Sequence, residues 1–442
     1  MTTNTSTASV RLSDEAVMPL RTLDPTGPLD DLEWLDQAIG DARVVAIGES
    51  AHYNGEFFQL RHRLLRYLVE RHGFSAYAME SGFVEGQLID HWVRGGEGRL
   101  GQVMANGTTS LMGLWTQMRT HLEWMRQHHR TASHSVGFYG IDMPGSMASL
   151  LPGLDAVSAY LADADPEFRI DPRIRETAAV FAAVSAFSAP AAIPAYGNVA
   201  DERRDGLTAG LADLTARMTS RRLDYLRLTT ADAYEWALRA LNITATLDAM
   251  FRELSRGNAQ GMMLNREATI ADTVEWILRK EDRIVLAAHN GHVQRWPITL
   301  PGMPPSTTMG MHLADRLGED YLVIGTTSAT GQTLNTAPDF YTGKLFTELE
   351  TAPRSGSLDA LMAASHDGPF ATDLRRLSPA DATTVRAVSQ QRFGTYYSDL
   401  SPLEAFDVIV HLPHVTPAGA DRAALAHAPR EVQEAFSRWK PA

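Results

Sequence analysis

The chain has 442 residues, 44% of them hydrophobic, with 40 basic against 53 acidic residues (net −13) and no cysteine. That length holds one large α/β domain or two to three ordinary ones, with apolar content enough for a substantial core. The acidic balance argues against nucleic acid or an anionic membrane as the main partner, and the missing cysteine excludes disulfides, thiolate metal sites and cysteine nucleophiles.

Residues 1–12 are rich in Thr and Ser, without a basic cluster or an apolar core. They read as a loose tail and not as a secretory signal, which leaves one domain over 13–442. Residues 26–40 form a turn and a short amphipathic helix. The first strand, 43–48, belongs to Val44-Val45-Ala46-Ile47-Gly48-Glu49-Ser50-Ala51-His52, around which the rest is organised. A buried β-branched run stops at Gly48, which is expected to let the chain turn sharply. Glu49 and His52 then stand at the strand exit, where open parallel sheets place their ligands.

The span 55–71 is a strong helix with a stripe of Leu60, Leu64 and Leu68, and Gly73 stands at its C′ position. Arg61 lies at the margin of the apolar face, where an arginine usually has a carboxylate partner. Arg63 and Arg66 point elsewhere, and His62 and His72 read as surface residues. A second strand, 74–79, ends in Glu80-Ser81-Gly82. Helices follow at 85–93 and 111–129, and a third strand, 135–141, closes on Asp142. Strand signals then vanish, and 147–256 reads as a mainly helical insertion whose longest helix covers 229–256. Its apolar residues Val180, Phe181, Val184 and Phe187 are candidates for the far wall of a pocket. The stretch 177–193 is mostly alanine and broken by Pro190, too weakly apolar to span a membrane, so a soluble cytoplasmic protein is expected.

A helix over 261–279 leads into strand 283–288. Strands 321–325 and 406–411 flank a helix at 358–365. Strands alternating with helices mean an α/β fold with a largely parallel sheet. The segment Arg283-Ile284-Val285-Leu286-Ala287-Ala288-His289-Asn290-Gly291-His292 repeats the first motif, so that His289 aligns with Glu49 and His292 with His52. Two strands that each end in ionisable groups three apart look like two walls of one site.

The strand exits collect Glu49, His52, Glu80, Asp142, His289 and His292, with His411 and His414 near the carboxyl end. This is the signature of an acid–base site, in which Glu49 or Glu80 would hold the tautomer of a histidine base. Gly48-Glu49-Ser50 imitates the start of a serine-hydrolase elbow, but the closing glycine is replaced by His52. The zinc motif His-Glu-x-x-His is absent, although His289 and His292 plus a third ligand leave metal binding as a rival.

These motifs, with Glu56-Phe57-Phe58, Arg61 to Leu68, Met79-Glu80-Ser81-Gly82-Phe83 and Phe138 to Met143, resemble the erythromycin esterase family. Asn265-Arg266-Glu267, Ala288 to Val293 and Met309-Gly310-Met311-His312-Leu313 continue the resemblance, which runs from about Leu29 to Pro413. It implies a two-lobed α/β fold with helical additions and cleavage of a macrolide lactone by activated water. It implies a base at His52, a histidine pair at His289 and His292, site glutamates at Glu49 and Glu80 and a site arginine at Arg61. Asp142, Arg266 and His312 are assigned to the substrate, a small-molecule ester of polyketide type; no cofactor and no metal is expected. Two other functions would use the same site: cyclisation, elimination or rearrangement of a natural-product intermediate, and macrolide binding without turnover.

Overall fold

The computed structural model describes residues 10–132 and 134–439. The strands, in chain order, are β1 (Met18–Pro19), β2 (Val44–Glu49), β3 (Ala76–Gly82), β4 (Gly137–Asp142), β5 (Ile284–His289), β6 (Tyr321–Leu334), β7 (Phe346–Glu348), β8 (Phe370–Asp373), β9 (Gln390–Phe393), β10 (Tyr396–Asp399) and β11 (Val408–Val415). The main sheet has the order β1-β8-β11-β6-β2-β5-β3-β4, with β7 beside β6; β9 and β10 form a separate ribbon. From β11 to β4 every neighbouring pair is parallel, while β8, β1 and β7 join antiparallel. The fold is therefore α/β with a largely parallel core.

Period-two alternation sorts each strand's side chains between two apolar layers. Val45 and Ile47 face the helices Gly55–His72 and Thr116–Thr131 through Leu60, Leu64 and Met118. Val44 and Ala46 face the helices Ala231–Ser255 and Ala259–Leu278 through Leu241 and Ile270. Helices on both faces explain why the central strands read as unbroken apolar runs. Gly73 closes the first of these helices in the left-handed conformation, at φ 68°.

Between β4 and β5 run the helices Leu151–Ala164, Pro172–Phe181, Ala189–Gly197, Asp201–Ser220, Arg222–Leu228 and Ala231–Ser255, the last of 25 residues. Their buried faces are continuous with one apolar layer of the sheet.

Several expectations change. Residues 1–9 lie outside the described range, but Leu12 is fully buried and donates its N–H to Ser365 Oγ at 3.0 Å, so the chain is anchored before residue 13. Gly48 makes no turn. It lies inside β2, and a Cβ there would collide with the Asn290 side chain, which bridges to Thr326 on β6. The glycine thus makes room for a cross-sheet amide. The helix expected at 111–129 starts at Thr116, because Leu111 takes a left-handed turn at φ 64°. Phe181 packs inside the insertion against Tyr196 and Phe251, and Phe187 stacks on Phe340. Among the described residues no helix is long and apolar enough to cross a membrane.

Candidate active site

β2 and β5 are neighbours, paired from Val44 with Ile284 to Glu49 with His289. The alignment of the two sequence motifs is thus the register of two adjacent strands, whose carboxyl ends open on one cavity. β3 brings Glu80 and β4 brings Asp142 to the same edge, and the helix Ala259–Leu278 adds Arg266 and Glu267.

Two ionic groups meet there. In the first, His52 Nδ1 stands 2.6 Å from Glu49 Oε1, and Arg61 Nη1 donates to Glu49 Oε2 at 3.0 Å. Glu49 and Arg61 are buried, so the pair is held rigidly behind the imidazole. In the second, Arg266 Nη2 donates to Glu80 Oε1 (3.0 Å) and Asp142 Oδ2 (2.6 Å), and its Nε reaches Asp142 Oδ1 (3.1 Å). His292 lies between Glu80 Oε1 at 3.2 Å and Glu267 Oε1 at 2.7 Å. The other oxygen of Glu80 accepts the His289 backbone N–H at 2.7 Å.

These contacts divide the three histidines. Burial disfavours a charged His52, but the bonded Glu49 and the nearby Glu80 outweigh it and hold its pKa above the ordinary value. Burial also opposes charge on His292, yet Glu267 and Glu80 push it up to about 10. Glu80 is correspondingly held well below the carboxylate range, its burial overcome chiefly by His292. His289 goes the other way: burial, with the neighbouring His52, lowers it to about 3. Its Nδ1 accepts the Gly291 N–H at 3.0 Å, which selects the tautomer with the proton on Nε2. Arg61, Arg266, His52 and His292 face the carboxylates of Glu49, Glu80, Asp142 and Glu267, an arrangement in which opposite charges can be buried together.

The cavity measures about 360 Å³, within the usual range for small-molecule sites. His52, Glu80, Asp142, Arg266, His289 and His292 form its polar end; Met112, Met147, Met263, Ile298 and Leu334 supply apolar wall. The His52 and His289 ring centroids are 5.2 Å apart. Among the described residues, the non-glycine positions with positive φ are Tyr53, Ser110, Leu111, Ser146 and Met147, all at or beside this cavity. Such conformations cost about 1–3 kcal/mol each and persist only where surroundings enforce them. Here Ser110 N–H donates to Ser146 Oγ at 2.9 Å, and the Tyr53 hydroxyl donates to the Ser110 carbonyl.

The remaining expected residues lie elsewhere. His312 is half-buried on the helix Met309–Leu317 and does not line the cavity. Ser50 is buried, with its backbone N–H on Thr326 Oγ1. His411 is buried against Thr327, and His414 is exposed beside Thr330. His62 is not a surface residue. It is buried 4.9 Å from His121, and its burial lowers it to about 3. Arg63 is also buried, paired with Asp31. Sequence reasoning missed Glu267, although it adjoins Arg266, and missed the β9–β10 ribbon, which sets Phe393 5.1 Å from the His289 ring. The aromatic residues on either side of Gly394 were the available signal. Among the described residues no group of three or more His, Asp or Glu side chains could hold a metal ion.

A family model for erythromycin esterase matches residues 69–415, which include Glu80, Asp142, Arg266, His289 and His292 but not Glu49 or His52. Erythromycin esterase type II of Escherichia coli is 32% identical over 337 residues, 73% of this chain and 77% of that protein. Erythromycin esterase type I of Escherichia coli is 27% identical over 298 residues, covering 65% and 71%. Among solved structures, a Bacillus cereus protein superposes with a TM-score of 0.77 at 21% identity, over 92% of this chain and 97% of that one. A mutant of the erythromycin esterase EreC in its open conformation gives 0.74 at 22% identity, over 90% and 97%. The chain belongs to the erythromycin esterase family and is, as a member of it, a hydrolase of carboxylic esters.

Proposed function

We propose that this protein opens the ring ester of a macrolactone by direct attack of water, with His52 as general base and no covalent intermediate. The observation that carries this reading is the 2.6 Å contact of His52 Nδ1 with Glu49, itself fixed by Arg61. It commits Nδ1–H to the carboxylate and leaves Nε2 to take a proton. Water bound at Nε2 loses that proton as its oxygen bonds to the ester carbon. The carbonyl oxygen becomes an oxyanion, which the neutral His289 Nε2–H and the Arg266 guanidinium stabilise. As the carbon–oxygen ring bond breaks, the imidazolium of His52 returns its proton to the leaving alkoxide. The product is a hydroxy acid, one water heavier than the lactone. His292, charged and clamped by Glu80 and Glu267, positions Glu80 and through it the His289 backbone. Incubation with a panel of macrolactones, followed by mass spectrometry, tests the reading. A gain of one water is expected; an unchanged or dehydrated mass across the panel would reject it.

A further inference from the structure

Arg61 meets Glu49 through one nitrogen only. Its Nη1 donates to Glu49 Oε2 at 3.0 Å, while Glu49 Oε1 stands 2.6 Å from His52 Nδ1. A guanidinium beside a carboxylate commonly takes both oxygens through its fork of N–H groups. That pairing here would set Arg61 against His52 in competition for Oε1. Some other contact must keep the guanidinium turned. Its Nε and Nη2 are buried and, among the described residues, have no hydrogen-bond partner of good geometry. Two groups besides Glu49 bear on it. The Phe58 ring centre lies 4.8 Å from its central carbon, and β3 brings Tyr77.

Tyr77 is fully buried, in the apolar layer that also holds Val45, Ile47 and the inner face of the helix Gly55–His72. Its hydroxyl, like the two spare nitrogens of Arg61, is buried without a partner of good geometry among the described residues. Burial raises the phenol's pKa to about 12 and Arg61 acts against that rise, so hydroxyl and guanidinium are near neighbours. The His121 ring packs 4.5 Å from the Tyr77 ring, and the His62 ring 4.9 Å from that of His121. Burial, with His62 and Arg61 close by, keeps His121 well below the ordinary imidazole range and so uncharged. The phenol is thus packed against a neutral ring. Its oxygen offers a neutral acceptor beside the two nitrogens that Glu49 leaves free.

We propose that Tyr77 is a positioning residue of the catalytic site: its hydroxyl holds the Arg61 guanidinium to a single N–H on Glu49 and so reserves Glu49 Oε1 for His52. The inference rests on the hydrolytic reading above, in which that contact aims the base. The titratable and charged groups around His52 are Glu49, Glu80, His289 and His292; those around Tyr77 are Arg61, Glu49 and His121. Tyr77→Phe removes the hydroxyl and keeps the ring with its packing. Arg61 then turns its spare N–H groups onto Glu49 Oε1, and His52 loses part of its carboxylate. Carbon-labelled histidine allows an NMR titration, with the His52 signal assigned by its loss in His52→Asn. The His52 pKa in Tyr77→Phe should lie at least about half a unit below that of wild type. With a macrolactone, kcat should fall about tenfold and KM stay within about twofold, because the base is misaimed while the cavity wall is untouched. Tyr234→Phe removes a buried hydroxyl that donates to the Met218 carbonyl at 3.2 Å in the insertion, and should leave the His52 pKa in place. Lysine has no fork, so adding Tyr77→Phe to Arg61→Lys should shift His52 no further. A His52 pKa unchanged in Tyr77→Phe, an equal shift in Tyr234→Phe, or an undiminished shift on the lysine background would overturn the proposal. If wild type cleaves no macrolactone, the hydrolytic reading fails, and the titration alone decides the role of Tyr77.

Discussion

Replacing Glu49 with glutamine tests how the base is tuned. Glutamine keeps the length and an oxygen able to accept His52 Nδ1–H, but removes the negative charge 2.6 Å from the ring. A hydrogen bond to a charged group contributes about 1.5–3 kcal/mol, and one pKa unit corresponds to about 1.4 kcal/mol. The His52 pKa should therefore fall by roughly one to two units, because burial then acts with less opposition. Hydrolysis needs neutral His52, so kcat/KM of wild type should rise with pH through a value above the ordinary imidazole range. In Glu49→Gln that rising limb should move down by roughly one to two units, with a lower plateau because a weaker acceptor orients the ring less well. Initial rates from about pH 5 to 9 measure it, over the range in which histidine ordinarily titrates. A limb that stays in place would show that the titrating group is not the His52–Glu49 pair.

Ser50→Ala should keep activity near wild type, since Ser50 does not line the cavity and it is its backbone N–H, not its hydroxyl, that bonds Thr326 Oγ1; complete loss with intact folding would point to a covalent path. His292 has its folded pKa raised to about 10, against roughly 6.5 unfolded. Its stabilising contribution is full below the unfolded value and disappears as pH rises through the folded one. The melting-temperature gap between wild type and His292→Asn should accordingly be largest near pH 6 and shrink toward pH 10, and a constant gap would contradict the ion-pair assignment. Gly140→Ala would press a methyl group into the Gly82 and Ser81 carbonyl oxygens of β3 and should cost about 1–3 kcal/mol or more. Gly206→Ala, with open space around it in a helix, should stabilise by about 0.5–1 kcal/mol; calorimetry showing equal effects would refute the packing argument.

The central sheet was legible because its strands are local runs of β-branched residues buried on both faces. The pairing of 283–292 with 43–52 was legible because parallel neighbours present like residues at like heights. What helical periodicity could not show was burial from a second side. His62 and Arg63 sit on polar positions of their helix, yet the helix Thr116–Thr131 and the short 3-10 helix Asp30–Leu32 cover them. Gly48 was legible as special but not for its reason, since the Asn290 side chain that needs the space is distant in sequence. The second carboxylate on His292, Glu267, and the wall from the β9–β10 ribbon depend on long-range packing that no local pattern encodes.

The central claim is that His52 takes the proton from the attacking water. His52→Asn keeps a polar side chain of similar reach but cannot accept a proton near neutral pH. Loss of a positioned base costs about 10²–10⁴-fold in rate. Turnover of a macrolactone by His52→Asn, measured beside calorimetric binding of the same lactone, should fall at least about a hundredfold with affinity preserved. Turnover at the wild-type rate would contradict the account and move the base to another group of the cavity.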